Sequence, residues 1–429
     1  MTRSHLQRTA AAATLATATL LFACGGGGGS GGPITVTGTV LNGVGDPLSG
    51  ANILLNDDIA SLATIGVDGK FSYANVKPPY NLTVKFDSII MEYRGLNRAA
   101  LQIVFGDSGM FHRVQLGGTV TGPSYPLGNG ELILLGATNG VLTDDNGGLP
   151  DGDVNPNTGA YNVWFDWAQG GIKTTDVAAL LIKGTKTGIT DYLMTGKLAN
   201  VTLQYGVSEV DVDFGLDTPV TTHSTVLSYS LGGYTTNGTA AYSLLTANGA
   251  KFAVSNMGWN LPNGGTVKMP DGGGTLGVMG FDADGNIAIR VGTAVLGGTT
   301  VLDLPASTVL KTSLPANGAM GVSRTPPLSW TPVPGADSYV VLVSGPAQEY
   351  EFFLPGDRST LAFPDYSALG LPLAGNTKYA WYVAALASSG ISVDSVTNPA
   401  GTGWPFMIED QASSLSQYIT TEASFTTAP

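Results

Sequence analysis

At 429 residues the chain is too long for one ordinary hydrophobic core, so we expect several domains, roughly two to four. Hydrophobic residues make up 43% of the chain, which excludes a disordered polyelectrolyte, and 60 glycines with 24 prolines favour short strands joined by tight turns. A formal net charge of −13 without a basic stripe disfavours a nucleic-acid partner, whose phosphates would be repelled.

The N-terminus has the order of features found in a secretory signal. Arg3 and Arg8 supply the basic start, Ala10–Leu21 supplies a short apolar run, and the small residue Ala23 stands just before Cys24. Cys24 is the one cysteine of the chain, so internal disulfides and a cysteine-based zinc or redox site are excluded. An ordinary signal peptide with an incidental cysteine is the alternative.

The segment Leu21-Phe22-Ala23-Cys24 resembles the lipobox of bacterial lipoproteins. That resemblance implies removal of residues 1–23 and acylation of Cys24, with palmitate among the acyl chains, so that the membrane is a partner through the lipid. Gly25 after the cysteine resembles the sorting pattern of outer-membrane lipoproteins. Residues 24–33 are glycine-rich and predict a flexible tether.

Residues 34–115 read as a small β-sandwich, in which Asp68-Gly69 between two alternating runs predicts a hairpin. The motifs Gly38-Thr39-Val40, Pro47-Leu48-Ser49-Gly50-Ala51 and Asp68-Gly69-Lys70-Phe71 resemble the carboxypeptidase regulatory-like domain. That family belongs to the starch-binding-domain-like, or carbohydrate-binding-like, fold group. The resemblance implies a seven-stranded, non-catalytic sandwich whose Gly and Pro residues mark turns.

Residues 116–308 form a β-rich middle region of one or two domains. Its strand candidates are separated by Asn-Gly, Asp-Gly and Gly-Gly turns, which predicts one large or two small sandwiches or barrels. Asp176–Lys183 fits a short helix or a buried strand, because periodicity does not separate the two. The strand candidates are Gly130–Leu135, Tyr161–Trp167, Asn200–Tyr205, Ser208–Phe214, Thr225–Tyr229, Ala240–Leu245, Lys251–Ser255 and Asn286–Val291.

Residues 309–429 carry the landmarks of another sandwich. The segment Thr325–Trp330, the Leu373 to Tyr379 spacing and the closing run Ser424–Thr427 resemble a fibronectin type III domain, with a buried tryptophan and a tyrosine corner. The long segment Ser388–Ser416 departs from that family and predicts an insertion. The fold class expected for the whole chain is therefore all-β, with tandem immunoglobulin-like sandwiches around a β-rich middle.

Glu209, Asp211 and Asp213 alternate with apolar residues, so that in a strand they share one face about 7 Å apart. Such a row suits an acid pair for glycosidic bonds or a cation clamp. The solvent-facing side of a half-buried strand, with Val210 and Val212 in the core, is the other interpretation.

The loop that contains Asp144, Asp145, Asp151 and Asp153 is acidic and glycine-rich. Closely spaced carboxylates with glycine turns are how calcium loops assemble their oxygen ligands, so these four residues are the metal candidates and calcium is the cofactor candidate. Ordinary turn chemistry explains the same composition.

Tyr161–Trp167 places Tyr161, Val163 and Phe165 on one face if it is a strand, and that apolar face is expected in the core. Trp164 then lies on the opposite face among polar residues and is the candidate for ligand binding, as a platform on which a sugar stacks.

The sequence carries no Gly-x-Ser-x-Gly elbow, phosphate-cradling loop or dinucleotide fingerprint, and no catalytic residue is assigned. We expect an exported, lipid-anchored, non-enzymatic protein with a surface-interaction or envelope-structural role, with glycans or other envelope proteins as partners. The alternative is a carbohydrate-binding surface lipoprotein. A glycan hydrolase that uses Glu209 and Asp213 is a third hypothesis.

Overall fold

The computed structural model describes residues 32–42, 46–105, 112–138, 141–143, 154–167, 172–185, 188–204, 207, 209–235, 243–254, 261–307, 309–387, 390–398 and 414–429. Within these ranges the regular elements are β-strands, apart from a 3₁₀ turn at Tyr366–Leu369 and the short helix α1 (Val393–Val396). The predicted all-β class with tandem sandwiches is confirmed. None of the helices in the described ranges has the length and apolar character needed to traverse a bilayer.

The first sandwich packs a three-stranded sheet of order β4-β1-β7 against a second sheet of order β3-β2-β5-β6. Val36 and Val40 of one sheet meet Leu82 and Tyr93 of the other in a common core. The strands are β1 (Ile34–Asn42), β2 (Asn52–Leu55), β3 (Asp58–Thr64), β4 (Lys70–Val76), β5 (Tyr80–Phe86), β6 (Ile89–Leu96) and β7 (Ala100–Phe105).

The hairpin predicted at Asp68-Gly69 is wrong. Gly69 does adopt a left-handed turn conformation, with φ of 69°, but β3 pairs with β2 while β4 pairs with β1. The carbonyl of Gly69 accepts a hydrogen bond from the amide of Val40 at 2.8 Å, which fastens the turn to β1. The Asp-Gly turn therefore carries the chain from one sheet to the other, because the contact with β1 decides where β4 pairs.

The middle region contains two sandwiches, which resolves the alternative left open by the sequence. In the first, the sheet β10-β11-β8-β14 packs on β9, β12 and β13, and β8 begins at His112, before the expected boundary at 115. Its strands are β8 (His112–Thr121), β9 (Glu131–Ala137), β10 (Val141–Thr143), β11 (Ala160–Trp167), β12 (Ile172–Thr185), β13 (Gly188–Gln204), β14 (Glu209–Asp211), β15 (Phe214–Gly215) and β16 (Thr218–Pro219).

The second middle sandwich packs the sheet β20-β17-β23 against β19, β18, β21 and β22. Leu227 and Met269 of the first sheet share a core with Leu276 and Val278 of the second. Its strands are β17 (Thr222–Ser228), β18 (Ser243–Ala247), β19 (Ala250–Val254), β20 (Gly265–Pro270), β21 (Gly274–Phe281), β22 (Ile287–Thr293) and β23 (Thr299–Val301).

The ambiguous segment Asp176–Lys183 lies within strand β12. Val177, Ala179 and Leu181 point into the core of the first middle sandwich, whereas Ala178 and Leu180 belong to a second hydrophobic cluster on the other face. A strand buried on both faces has a continuous apolar run instead of an alternating one. This is why periodicity could not separate a strand from a helix here.

The last sandwich packs the sheet β24-β26-β29 against β28, β27 and β30, and β30 continues into β31 with one half and into β32 with the other. Its strands are β24 (Thr312–Leu314), β25 (Ala319–Val322), β26 (Pro327–Trp330), β27 (Ala336–Ser344), β28 (Glu349–Pro355), β29 (Thr360–Ala362), β30 (Lys378–Ala387), β31 (Ser414–Ile419) and β32 (Ala423–Thr427).

The two aromatic landmarks of the last sandwich are both buried, on facing sheets. Trp330 on β26 is 3% exposed and lies 5.4 Å from the ring of Tyr339. Tyr379 on β30 is 1% exposed, and its hydroxyl accepts a hydrogen bond from the amide of Ala374 at 2.8 Å. That local bond is the contact expected of a tyrosine corner.

Strand pairing also joins the sandwiches to one another. Strand β6 of the first sandwich pairs in parallel with β28 of the last, and β22 of the second middle sandwich pairs antiparallel with β31. Strand β19 meets β9 through Lys251 and Ala137, which links the two middle sandwiches. Hydrogen-bonded strands therefore run through all four units.

The junction of the first and last sandwiches is reinforced by the segment that was predicted to be an insertion. The ring of Tyr93 on β6 stacks on Phe353 of β28 with centroids 4.6 Å apart. Asp394 of α1 accepts a hydrogen bond from the amide of Asn97 at 2.9 Å, and its carbonyl accepts one from Arg98 at 2.8 Å. The described part of the insertion therefore fastens the last sandwich to the first.

Two carboxyl groups are buried at this junction. Glu92 on β6 accepts hydrogen bonds from Arg94 and from the hydroxyl of Tyr366 in the last sandwich. Burial raises the pKa of Glu92, and the Arg94 charge opposes that shift. Glu351 on β28 has no such cation, and burial together with the charge of Glu349 raises its pKa to about 8.

Truncating Trp330 should destabilise the protein strongly. Trp330→Ala removes a buried indole from the core of the last sandwich, so we expect a loss of roughly 3–5 kcal/mol in the free energy of unfolding. Denaturant unfolding measures it. Met320→Ala is the control, because Met320 is 76% exposed and its truncation should change little. An unchanged midpoint for Trp330→Ala would contradict the packing described here.

Glu351 should make stability fall as the pH rises. The folded state holds the Glu351 proton up to about pH 8, whereas the unfolded chain releases it near its ordinary value of 4.5, so folding takes up a proton between these limits. The free energy of unfolding should therefore fall from about pH 5 to pH 8, by at most about 1.4 kcal/mol per pH unit for one proton.

Glu351→Gln keeps the side-chain shape but removes the titration, so the variant should gain stability over the native chain as the pH rises. Denaturant unfolding at several pH values measures the slope. Glu349→Gln, at a partly exposed neighbouring position, is the matched control. Equal slopes in the native chain and Glu351→Gln would show that Glu351 does not titrate in this range.

Candidate functional site

Strand β11 separates its side chains as the sequence predicted. Tyr161, Val163 and Phe165 are buried in the core of the first middle sandwich. On the opposite face, Asn162 is exposed and Trp164 is partly exposed. Trp164 therefore lies on the outer face of the sheet β10-β11-β8-β14, which we call the outer face.

Strand β14 brings the acidic residues to the same outer face. It pairs in parallel with β8, and the register places Glu209 beside Gln115, which lies in turn beside Trp164 of β11. Neighbouring strands are about 4.8 Å apart, so Trp164 and Glu209 are separated by about two strand spacings. Two candidates that are 45 positions apart in the sequence thus lie in one row across the sheet.

The next row contains Asn162, Gly117 and Asp211. Gly117 has no side chain, and Glu209 Oε1 and Asp211 Oδ1 lie 2.6 and 3.6 Å from the point that a Cβ of residue 117 would occupy. Both carboxylates therefore lean into the space above Gly117. A larger residue there would push them away.

Asp213 is placed differently from the other two acids. Pairing of β14 ends at Asp211, where the amide of Val212 donates to the carbonyl of Gly117 at 2.8 Å. Asp213 is exposed, but its Oδ1 accepts a hydrogen bond from the amide of Thr119 at 2.6 Å. The solvent-facing interpretation of this strand is confirmed, since Val212 is buried.

Tyr161 positions the acidic strand from below. Its hydroxyl donates to the carbonyl of Val212 at 2.5 Å, and its ring packs edge-on against Phe214 at 6.2 Å. Burial raises the pKa of Tyr161, and the charges of Asp213 and Asp211 raise it further. The phenol therefore stays protonated and keeps its hydrogen bond, which holds the chain on either side of Val212 against the sheet.

Arg113 completes the aromatic end of the outer face. It is exposed on β8, and its guanidinium carbon lies 5.4 Å from the centroid of the Trp164 ring. A guanidinium at this distance is attracted by the indole, and both planar groups orient each other. The outer face thus has a cationic, aromatic end at Arg113 and Trp164 and an acidic end at Glu209 and Asp211.

Three of these residues were missed by sequence reasoning. Arg113, Gln115 and Gly117 belong to β8, where Arg113 and Gln115 alternate with the buried Val114 and Leu116. That alternation was the signal that could have found the strand. The pairing of β8 with both β11 and β14 has no such local signal.

Other predicted site residues lie outside the described residues. These are Cys24 and the four calcium candidates, Asp144, Asp145, Asp151 and Asp153. Lipidation and calcium binding therefore stay predictions. In the part of the chain that the structure describes, no group of three or more His, Cys, Asp or Glu side chains is arranged to hold a metal ion.

No protein-family model matches the chain, and no curated protein matches it. Among solved structures, the FN1–FN3 domains of chicken CNTN1 share 8% identity, with 82% of this chain and 94% of that chain covered and a TM-score of 0.17. The Bacillus anthracis TIE protein shares 10%, covering 64% and 51%, with a TM-score of 0.15. The shaft pilin SpaA of Lactobacillus rhamnosus GG shares 10%, covering 43% and 98%, with a TM-score of 0.14. Similarities this low carry no argument about function.

Two neighbouring glycines should respond differently to alanine. In Gly117→Ala the new Cβ meets the mobile end of Glu209, so the carboxylate should rotate away and the free energy of unfolding should change by less than about 1 kcal/mol. In Gly118→Ala the Cβ meets the backbone oxygen of Val212 at 2.3 Å with φ at 150°, so a loss of about 2 kcal/mol or more is expected. Denaturant unfolding of both variants measures the difference, and equal losses would contradict the geometry of the outer face.

Proposed function

We propose that the chain is an exported, lipid-anchored protein of a bacterial outer membrane with a non-catalytic role in surface interaction or envelope structure. The observation that carries the proposal is the joining of all four sandwiches by strand pairing, through β6–β28, β22–β31 and β9–β19. A body joined in this way presents its surfaces in a fixed arrangement, as a scaffold or a docking protein requires.

The sequence supports the anchored part of the proposal. Cys24 and the glycine-rich residues after it precede β1 directly, so a lipid on Cys24 would hold the first sandwich at the membrane through a flexible tether. The last sandwich would be held there too, because β28 pairs with β6. Several acyl chains on one cysteine give firm attachment, whereas a single chain binds reversibly.

A second candidate function is carbohydrate binding at the cell surface. The observation that favours it is the row of Trp164, Gln115 and Glu209 across the outer face, where an aromatic ring lies near an amide and a carboxylate. Such a surface recognises a ligand without any reaction, so this candidate is a specific form of the non-catalytic role.

Cys24→Ser should release the protein from membranes. The variant has no thiol for acylation, and after export it should move from the membrane fraction to the soluble envelope fraction. Fractionation followed by mass spectrometry of the N-terminus measures both location and modification. Ser30→Ala, in the same glycine-rich stretch, is the matched control and should stay with the membrane. Full membrane retention of Cys24→Ser after signal removal would overturn the anchoring proposal.

A further inference from the structure

We propose that the outer face is a binding site for a neutral polysaccharide segment, with Trp164 as the stacking surface and Gln115, Asn162, Glu209 and Asp211 as hydrogen-bonding groups. This inference deepens the proposed surface-interaction role and rests on it. The proposal is carried by the arrangement of an aromatic ring, two amides and two carboxylates on three paired strands.

The dimensions of the outer face suit a sugar chain. Three strands at about 4.8 Å spacing give a row about 10 Å wide from Trp164 to Glu209, and alternate residues along a strand are about 7 Å apart. The rows through Gln115 and Gly117 therefore enclose an area comparable to one or two hexose rings. The surface is open on a sheet, which suits a segment of a long chain better than a small free molecule.

The chemistry of the outer face fits hydroxyl-rich ligands. The apolar face of a sugar ring packs on an indole, and carboxylates and amides accept or donate hydrogen bonds to neighbouring hydroxyls. Glu209 and Asp211 turn their oxygens over Gly117, where the lack of a Cβ leaves room for a ring edge to approach the backbone. Strand positions hold these groups more rigidly than a loop would, so little ordering is needed on binding.

The distribution of charge favours a neutral ligand. Arg113 lies at the aromatic end, and Glu209 with Asp211 lies at the other end of the rows. A polyanion would be repelled by the carboxylates, while a polycation would meet Arg113 beside the ring that it must reach. A neutral chain can cross both ends without either repulsion.

The test is calorimetric titration of the purified mature chain, held in a detergent without a sugar headgroup, with hexasaccharides of glucose, mannose, xylose and N-acetylglucosamine. We expect at least one of the four to bind, and its Kd to change little between low and high salt because the ligand is uncharged. Trp164→Ala should raise that Kd about tenfold or more, as truncation of a central aromatic anchor does.

Further variants separate recognition from folding. Trp164→Tyr keeps an aromatic surface and should retain part of the affinity, while Glu209→Gln should weaken binding without lowering thermal stability. Two controls lie away from the outer face: Tyr229→Ala, whose ring is partly buried in the other middle sandwich, and Asp357→Asn, whose side chain is 81% exposed in the last sandwich. Both should bind as the native chain does.

Three results would overturn the inference: no binding of any of the four hexasaccharides, binding that Trp164→Ala leaves unchanged, or binding of an oligolysine peptide that depends on Glu209 and not on Trp164. Failure of the proposed anchoring is seen separately, because the titration does not depend on where the protein is located. A chain that binds a hexasaccharide but stays soluble with Cys24 intact would keep the glycan site and refute the lipid anchor.

Discussion

The parallel pairing of β6 with β28 is the contact on which the arrangement of the molecule depends. It joins residues 89–93 to residues 349–353, more than half the chain apart in the sequence. Exposed strand edges are templates for unwanted pairing between chains, and this molecule covers two of them with its own strands. Once β6 and β28 are paired, the sheets of the first and last sandwiches become continuous and their outer neighbours are fixed.

The same pairing explains why carboxyl groups are buried at the junction. The faces of β28 are covered by different cores, because Phe352 belongs to the cluster of the last sandwich and Phe353 to that of the first. Glu92 is balanced by Arg94 and Tyr366, whereas Glu351 Oε2 has no hydrogen-bond partner within the described residues. A buried carboxyl without a cation favours its neutral form, so the junction is most stable when Glu351 is protonated.

Much of the local structure could be predicted from the sequence, and most of the long-range pairing could not. The alternation around Trp164 fixed which side chains face the core, and the Leu373 to Tyr379 spacing fixed a local hydrogen bond. By contrast, Asp68-Gly69 specifies a turn but not the partners of the strands beside it. Pairing between distant strands depends on which edges are left uncovered after each sandwich forms, and no short segment encodes that.

The candidate site follows the same division between local and distant information. Trp164 and Glu209 were each identifiable from their own segments, but their neighbourhood depends on β8, which pairs with β11 on one side and β14 on the other. Gly117 on β8 then matters more than either charge, because a Cβ at this position would lie 2.6 Å from Glu209 Oε1. The one residue of the row without a side chain thus determines where the carboxylates can lie. Any ligand of this face has to use the space that Gly117 leaves open.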